Sequence, residues 1–142
     1  MRFPKSIVAL AFVAVLAVPC AVLAADNHTK GPEPVQVLGG QPVQIADYLV
    51  PGKTTIFDFY SEFCGPCREM APKMQKLHET HAEIAVVDID INRPGVQGID
   101  WSSPVAQQFN LQSIPHFKIY GPDGKLKSEG DDAYNTVAGM VQ

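Results

Sequence analysis

The sequence predicts an α/β protein whose central mixed β-sheet is flanked by helices on both faces, and three observations carry that prediction. The stretches "TTIFDFY" (54–60) and "IAVVDIDI" (84–91) are β-branched, aliphatic and aromatic almost throughout, as in parallel strands buried on both sides. Between them Met70, Met74, Leu77, His78 and His81 recur at spacings of three and four, so residues 64–81 read as an amphipathic helix. Near the C-terminus "HFKIY" and "KLKSE" are two short strands joined by "GPDG", whose Pro and Gly supply the dihedrals of a hairpin turn. A βαβ unit followed by a hairpin mixes parallel and antiparallel pairing in one sheet.

The other elements follow in chain order. Residues 25–41 are polar and rich in Pro and Gly, the composition of a flexible tether, leading into a weak strand near 35–38 that adds little to the core. "IADYLV" reads as one short helical turn before the "PGK" break. Pro72 interrupts the first helix and predicts a kink, because it lacks an N–H and its ring crowds the preceding turn. "NRPGVQGI" is a loop, and Ser102 or Ser103 followed by Pro104 is a cap and first-turn pair opening "VAQQFNL". "DDAYNTVAGMVQ" closes the chain as a short helix with acids at its positive end. There is no internal repeat and no glycine-rich phosphate loop.

Residues 1–24 stand apart. Arg2 and Lys5 precede the apolar run 7–18, which meets a small-residue V-x-A site, so a secretory signal peptide cleaved between Ala24 and Ala25 is expected. A retained membrane anchor is the alternative, although the uncharged stretch is shorter than the roughly 20 residues a spanning helix needs. Cys20 follows Pro19, which is not the small residue a lipobox wants. Without the leader 118 of the 142 residues remain, enough for one compact domain, with 25–41 as tether and 42–142 as the folded unit. Cationic residues fall from 11 to 9 against 15 acids, so the formal net charge moves from −4 to −6. That acidity argues against nucleic acid and anionic membranes as partners, though not against proteins. Export also leaves one cysteine pair, Cys64 and Cys67, in an oxidising compartment.

That pair lies two residues apart in "SEFCGPCREMAP". Zinc needs four ligands, and His28, His78, His81 and His116 show no finger spacing, so no metal is expected. A c-type haem needs histidine after the second cysteine, where Arg68 stands. A structural disulfide stabilises less as its loop shrinks, which makes a four-residue ring a poor staple. Redox chemistry suits the spacing better, since it lets both sulfurs reach bonding distance while leaving the first exposed. At a helix start Cys64 meets unpaired N–H groups and the positive end of the dipole, which favour a thiolate. Cys67, one turn in, is placed to resolve a mixed disulfide. Asp58, a carboxyl inside an apolar strand, is costly to bury charged, so its pKa should rise toward a range useful for proton transfer.

Here "FDFYSEFCGPCREMAP" resembles the active-site stretch of the thioredoxin family, in the CGPC motif, the aspartate six positions before the first cysteine and the proline five after the second. "SIPHFKIYGPDGK" resembles that family's cis-proline strand and hairpin, and the likeness spans about residues 35–141. The resemblance implies a thioredoxin fold, Cys64 as nucleophile, Cys67 as resolving thiol, and Asp58 as the buried carboxylate that helps Cys67 lose its proton. It implies that Phe63, Gly65, Pro66, Ile114 and Pro115 bind substrate, with Pro115 cis against the disulfide and the Ile114 backbone free to pair with a substrate chain. Protein thiols and disulfides are then the substrates, with no cofactor beyond the Cys64–Cys67 pair, and a monomer is expected. With the leader, this points to a bacterial periplasm, with full secretion or membrane anchoring as alternatives. The Gly-Pro dipeptide resembles the family's reducing branch, which in the periplasm requires a membrane electron donor.

Several positions depart from the family pattern. Phe63 replaces the usual tryptophan, and Asp88 stands where the family has a buried lysine, so that two carboxyls pointing inward would raise each other's pKa. The segment "GVQGIDWSSP" is long, and its Trp101 either lines a substrate groove or anchors the loop to the core. His116 either tunes the cysteines or is a strand histidine without a role, and Arg68 either assists the thiolate or is simply solvated. Two further functions fit a dithiol on this frame: a copper(I)-binding module, for which thiolates are suitable ligands, and a non-catalytic domain holding peptides beside Pro115.

Overall fold

The computed structural model describes residues 29–142; the expected signal peptide, its cleavage site, Cys20 and His28 lie outside the described residues. Five strands form one sheet: β1 (Val35–Val37), β2 (Thr54–Tyr60), β3 (Ile84–Asp90), β4 (His116–Tyr120) and β5 (Leu126–Glu129). Their order is β1-β3-β2-β4-β5, with β1, β3 and β2 parallel and β4 and β5 antiparallel. The mixed sheet expected from the sequence is therefore present, with the strand that leads into the cysteines at its centre.

Strand alternation sorts side chains to two faces. On one face Ile56, Ile84, Val86, Phe117 and Ile119 pack with α1 (Gly65–Thr80) and α3 (Gly130–Met140) through Met70, Met74, Leu77, Ala133 and Val137. On the other Phe57, Phe59, Val87 and Ile89 meet Ile45 and Tyr48 of a 3-10 turn (Ile45–Tyr48), Val105 and Ala106 of α2 (Pro104–Gln108), and the flanking Val43 and Leu111. Ser103 caps α2 by accepting the Ala106 N–H at 3.2 Å. That helix is shorter than "VAQQFNL" suggests, because Leu111 N–H bonds the Ala106 carbonyl and Asn110 takes a positive φ of 48°, which turns the chain out of the helix.

The expected tether through Gln41 is too long. The Lys30 ammonium bonds the carbonyls of His78 and His81 at the C-terminal end of α1, where a cation is favoured by the dipole. His78, fully buried, accepts the Val86 N–H on Nδ1 and donates from Nε2 to the Gly31 carbonyl, each at 3.0 Å. With β1 paired to β3, the chain is fastened well ahead of residue 42.

Candidate functional site

Strand β2 ends at Tyr60, and one buried residue sets the turn that follows. The Ser61 hydroxyl accepts the Phe63 N–H at 3.2 Å and its carbonyl accepts the Cys64 N–H at 3.0 Å. Cys64 becomes the N-cap of α1, its sulfur accepting the Cys67 N–H at 3.2 Å. Pro66, in the first turn, has no N–H to leave unpaired. Cys64 and Cys67 form a disulfide, with their Cα atoms 5.2 Å apart. The expectation that the spacing leaves the first sulfur exposed is corrected, since Cys64 is 4 % and Cys67 2 % exposed. The Ile114 carbonyl oxygen sits 3.6 Å from Cys64 Sγ and covers it.

The Ile114–Pro115 bond is cis. Pro66, Ile114, Pro115 and His116 line a groove of ≈ 280 Å³ beside the disulfide, and Asp131 and Tyr134 of α3 complete it. Phe63 and Gly65, both half-buried, flank the cysteines without lining this groove. His116 packs edge-on against Phe59 with ring centroids 5.9 Å apart, and burial followed by the nearby Lys118 holds its pKa below the ordinary value.

Behind the disulfide, on the α1 face, a second pocket of ≈ 510 Å³ has Cys67, Asp58 and Asp88 in its wall. Asp58 is 3 % exposed. Burial, and secondarily the Asp88 charge, pushes its pKa well above the usual carboxylate range. Asp88 pairs with Asp58 in the β2–β3 register. Burial raises its pKa to about 6, and a hydrogen bond from Gln36 works against that rise. The two carboxyls therefore do point into one space.

Other candidates lie elsewhere. Arg68 is exposed and donates to the Glu62 carbonyl at 2.7 Å. Trp101 is 38 % exposed and lines neither the groove nor the pocket, and its carbonyl accepts the Gln107 Nε2 at 2.7 Å. Polar contacts pin that loop: Arg93 grips buried Asp100 through two bonds of 2.7 and 2.9 Å, and Asn92 donates to the Gly98 carbonyl at 2.6 Å. Among the described residues no three His, Cys, Asp or Glu side chains come together to hold a metal ion. Asp131, Tyr134, Gln36 and Tyr60 join the site only through the fold, and no local pattern in the sequence marks them.

The thioredoxin family model matches residues 44–141. The chain is similar to a thioredoxin of Streptomyces clavuligerus, 29 % identical over 94 residues, which is 66 % of this chain and 73 % of the relative. It is similar also to the chloroplastic thioredoxin F of rice, 31 % identical over 77 residues, 54 % of this chain and 37 % of that protein. The chain thus spans well under half the length of the rice relative. Among solved structures, spinach chloroplast thioredoxin F in its short form superimposes with a TM-score of 0.53 at 20 % identity, covering 81 % of this chain and 99 % of that one.

Proposed function

The chain belongs to the thioredoxin family, and from that premise we propose that it is a thiol–disulfide oxidoreductase that reduces protein disulfides through Cys64 and Cys67. One observation carries the proposal: the bonded cysteines open a 16-residue helix, with a groove in front of Cys64 and a buried carboxyl behind Cys67. In the reduced protein the Cys67 N–H and the helix dipole favour a Cys64 thiolate. That thiolate attacks one sulfur of a substrate disulfide, forming a mixed disulfide and releasing the other sulfur as a thiolate. Cys67 then gives its proton to Asp58 and attacks Cys64 Sγ. The Cys64–Cys67 bond forms, the second substrate thiolate leaves, and two electrons have passed from protein to substrate.

In this reading a substrate chain lies along the groove and pairs with the Ile114 backbone, with Phe63, Gly65 and Pro66 on its other side. No cofactor takes part beyond the cysteine pair. The leader sequence supports export to a periplasm, where the oxidised form returns to the dithiol by exchange with a membrane-held electron donor. The copper(I) and non-catalytic readings are not favoured by the family match. Cys64→Ser abolishes disulfide exchange and Cys67→Ser traps mixed disulfides; full activity in the Cys64 variant would refute the assignment. The direction is read from the reduction potential of the couple: a value near the thioredoxin end, about −270 mV, supports a reductase, and one near −120 mV makes it an oxidant.

A further inference from the structure

Asp58 and Asp88 occupy the same rung of the β2–β3 ladder, where neighbouring strands lie about 4.8 Å apart. Each leaves its Oδ1 buried without a hydrogen-bond partner. Their surroundings differ in one respect. Asp58 is the inner acid, sharing the pocket wall with Cys67. Asp88 is the outer one: its Oδ2 accepts from Gln36 Nε2 at 2.6 Å, and Gln36 Oε1 in turn accepts from the Tyr60 hydroxyl at 3.3 Å. Gln36 is exposed on the edge strand, so the bonded string runs from Asp88 outward to the pocket mouth, while Asp58 and Cys67 share the pocket lining with it.

We propose that Asp88 is a positioning residue for the resolving step: with Asp58 it forms a two-carboxyl relay that carries the Cys67 proton out through the pocket. The relay deepens the oxidoreductase reading and rests on it. Two carboxylates this close cannot both ionise cheaply, so the pair holds one proton between them. When Asp88 carries that proton, Asp58 is ionised and can act as base. The Cys67 S–H bond then breaks, and its proton goes to Asp58. The sulfur's electron pair forms the bond to Cys64 Sγ, and the substrate sulfur departs with the electrons of the mixed disulfide. Asp88 releases its proton to solvent, the proton on Asp58 passes to Asp88, and the pair is reset with Asp58 ionised.

The groups facing the pair suit this role. Glu33 before β1 adds negative charge, α1 contributes Cys67 and Gln75, and no cation lines the pocket among the described residues. Tyr60, held near 12 by burial and by surrounding carboxylates, keeps its proton and leaves Asp88 as the exit.

The test begins with the unmutated, reduced protein carrying ¹³C-labelled aspartate. Asp58 and Asp88 are expected to titrate as a coupled pair, each showing both inflections; two independent single inflections overturn the proposal with no variant needed. Asp88→Asn keeps the size and an acceptor for Gln36. In that variant the Asp58 midpoint is expected to fall by about one pH unit or more, a tenfold change in proton affinity. The second readout is single-turnover release of a model peptide thiol from its mixed disulfide with Cys64. Its acid limb moves to lower pH and its plateau falls, by less than the roughly 100-fold that a positioned acid or base supplies, while Asp88→Glu restores both. An Asp58 midpoint that does not move, or a plateau that does not fall, overturns the relay. Exchange with uncoupled titration refutes the relay alone, whereas coupled titration in a chain without exchange refutes the oxidoreductase reading and the relay with it.

Discussion

Replacing Asp88 by asparagine should make the oxidised, folded chain more stable above neutral pH. Burial raises the Asp88 carboxyl from 3.8 to about 6. Below pH 3.8 folded and unfolded chains both hold this proton, and stability does not depend on it. Between pH 3.8 and about 6 the unfolded chain has lost the proton while the folded chain retains it, so stability falls as pH rises. Above about 6 both are ionised and the loss is complete. A shift of about two pH units corresponds to about 3 kcal/mol at 1.36 kcal/mol per unit. Asp58 contributes with the same sign, and loses a like-charged neighbour in the variant. Carboxylates lowered by ion pairs, such as Glu129 beside Lys118, act in the opposite sense in both proteins and cancel in the difference. Urea unfolding of the two proteins from pH 3 to 8 measures that difference. The curves should coincide near pH 3 and separate with rising pH, the variant ending up to about 3 kcal/mol more stable. A constant gap, or a variant less stable at pH 8, would refute the buried-carboxyl account.

Two further perturbations test how the frame is held. His78→Leu leaves the Val86 N–H buried and unpaired and frees the Gly31 carbonyl; a loss of about 1–3 kcal/mol is expected by chemical denaturation, with part recovered in His78→Gln. Gly40→Ala places a Cβ 2.8 Å from the Ile91 carbonyl oxygen at a residue whose φ is +65°, so the midpoint of thermal unfolding should drop in proportion to at least about 1–3 kcal/mol. An unchanged midpoint would mean that the loop yields freely.

Local pattern carried the elements whose burial is uniform. β2 and the hairpin strands fall where composition places them, and α1 begins at the cysteine motif because cap, proline and apolar spacing agree there. The cysteines, Asp58 and Pro115 were legible because motif or burial singles them out. What was missed depends on distant pairing. The weak strand expected near 35–38 is present as β1 (Val35–Val37), but its parallel ladder to β3 is not written in its own residues. The Gln36–Asp88 bond spans 52 positions, and Tyr134 reaches the groove from the last helix. Nor does spacing reveal that a carbonyl fifty residues downstream lies over Cys64. Of the two roles open to Trp101 the groove one falls away, and the Arg93–Asp100 pair that pins its loop joins residues seven apart with no motif to mark them.

The central position of β2 gives the two ends of a four-residue ring different neighbours. One neighbour, β4, brings Ile114, Pro115 and His116 to the Cys64 side. The other, β3, brings Asp88, with β1 and Gln36 beyond it, to the Cys67 side. The proposed substrate groove and the proposed proton path thus draw on different strands, on opposite flanks of one ribbon.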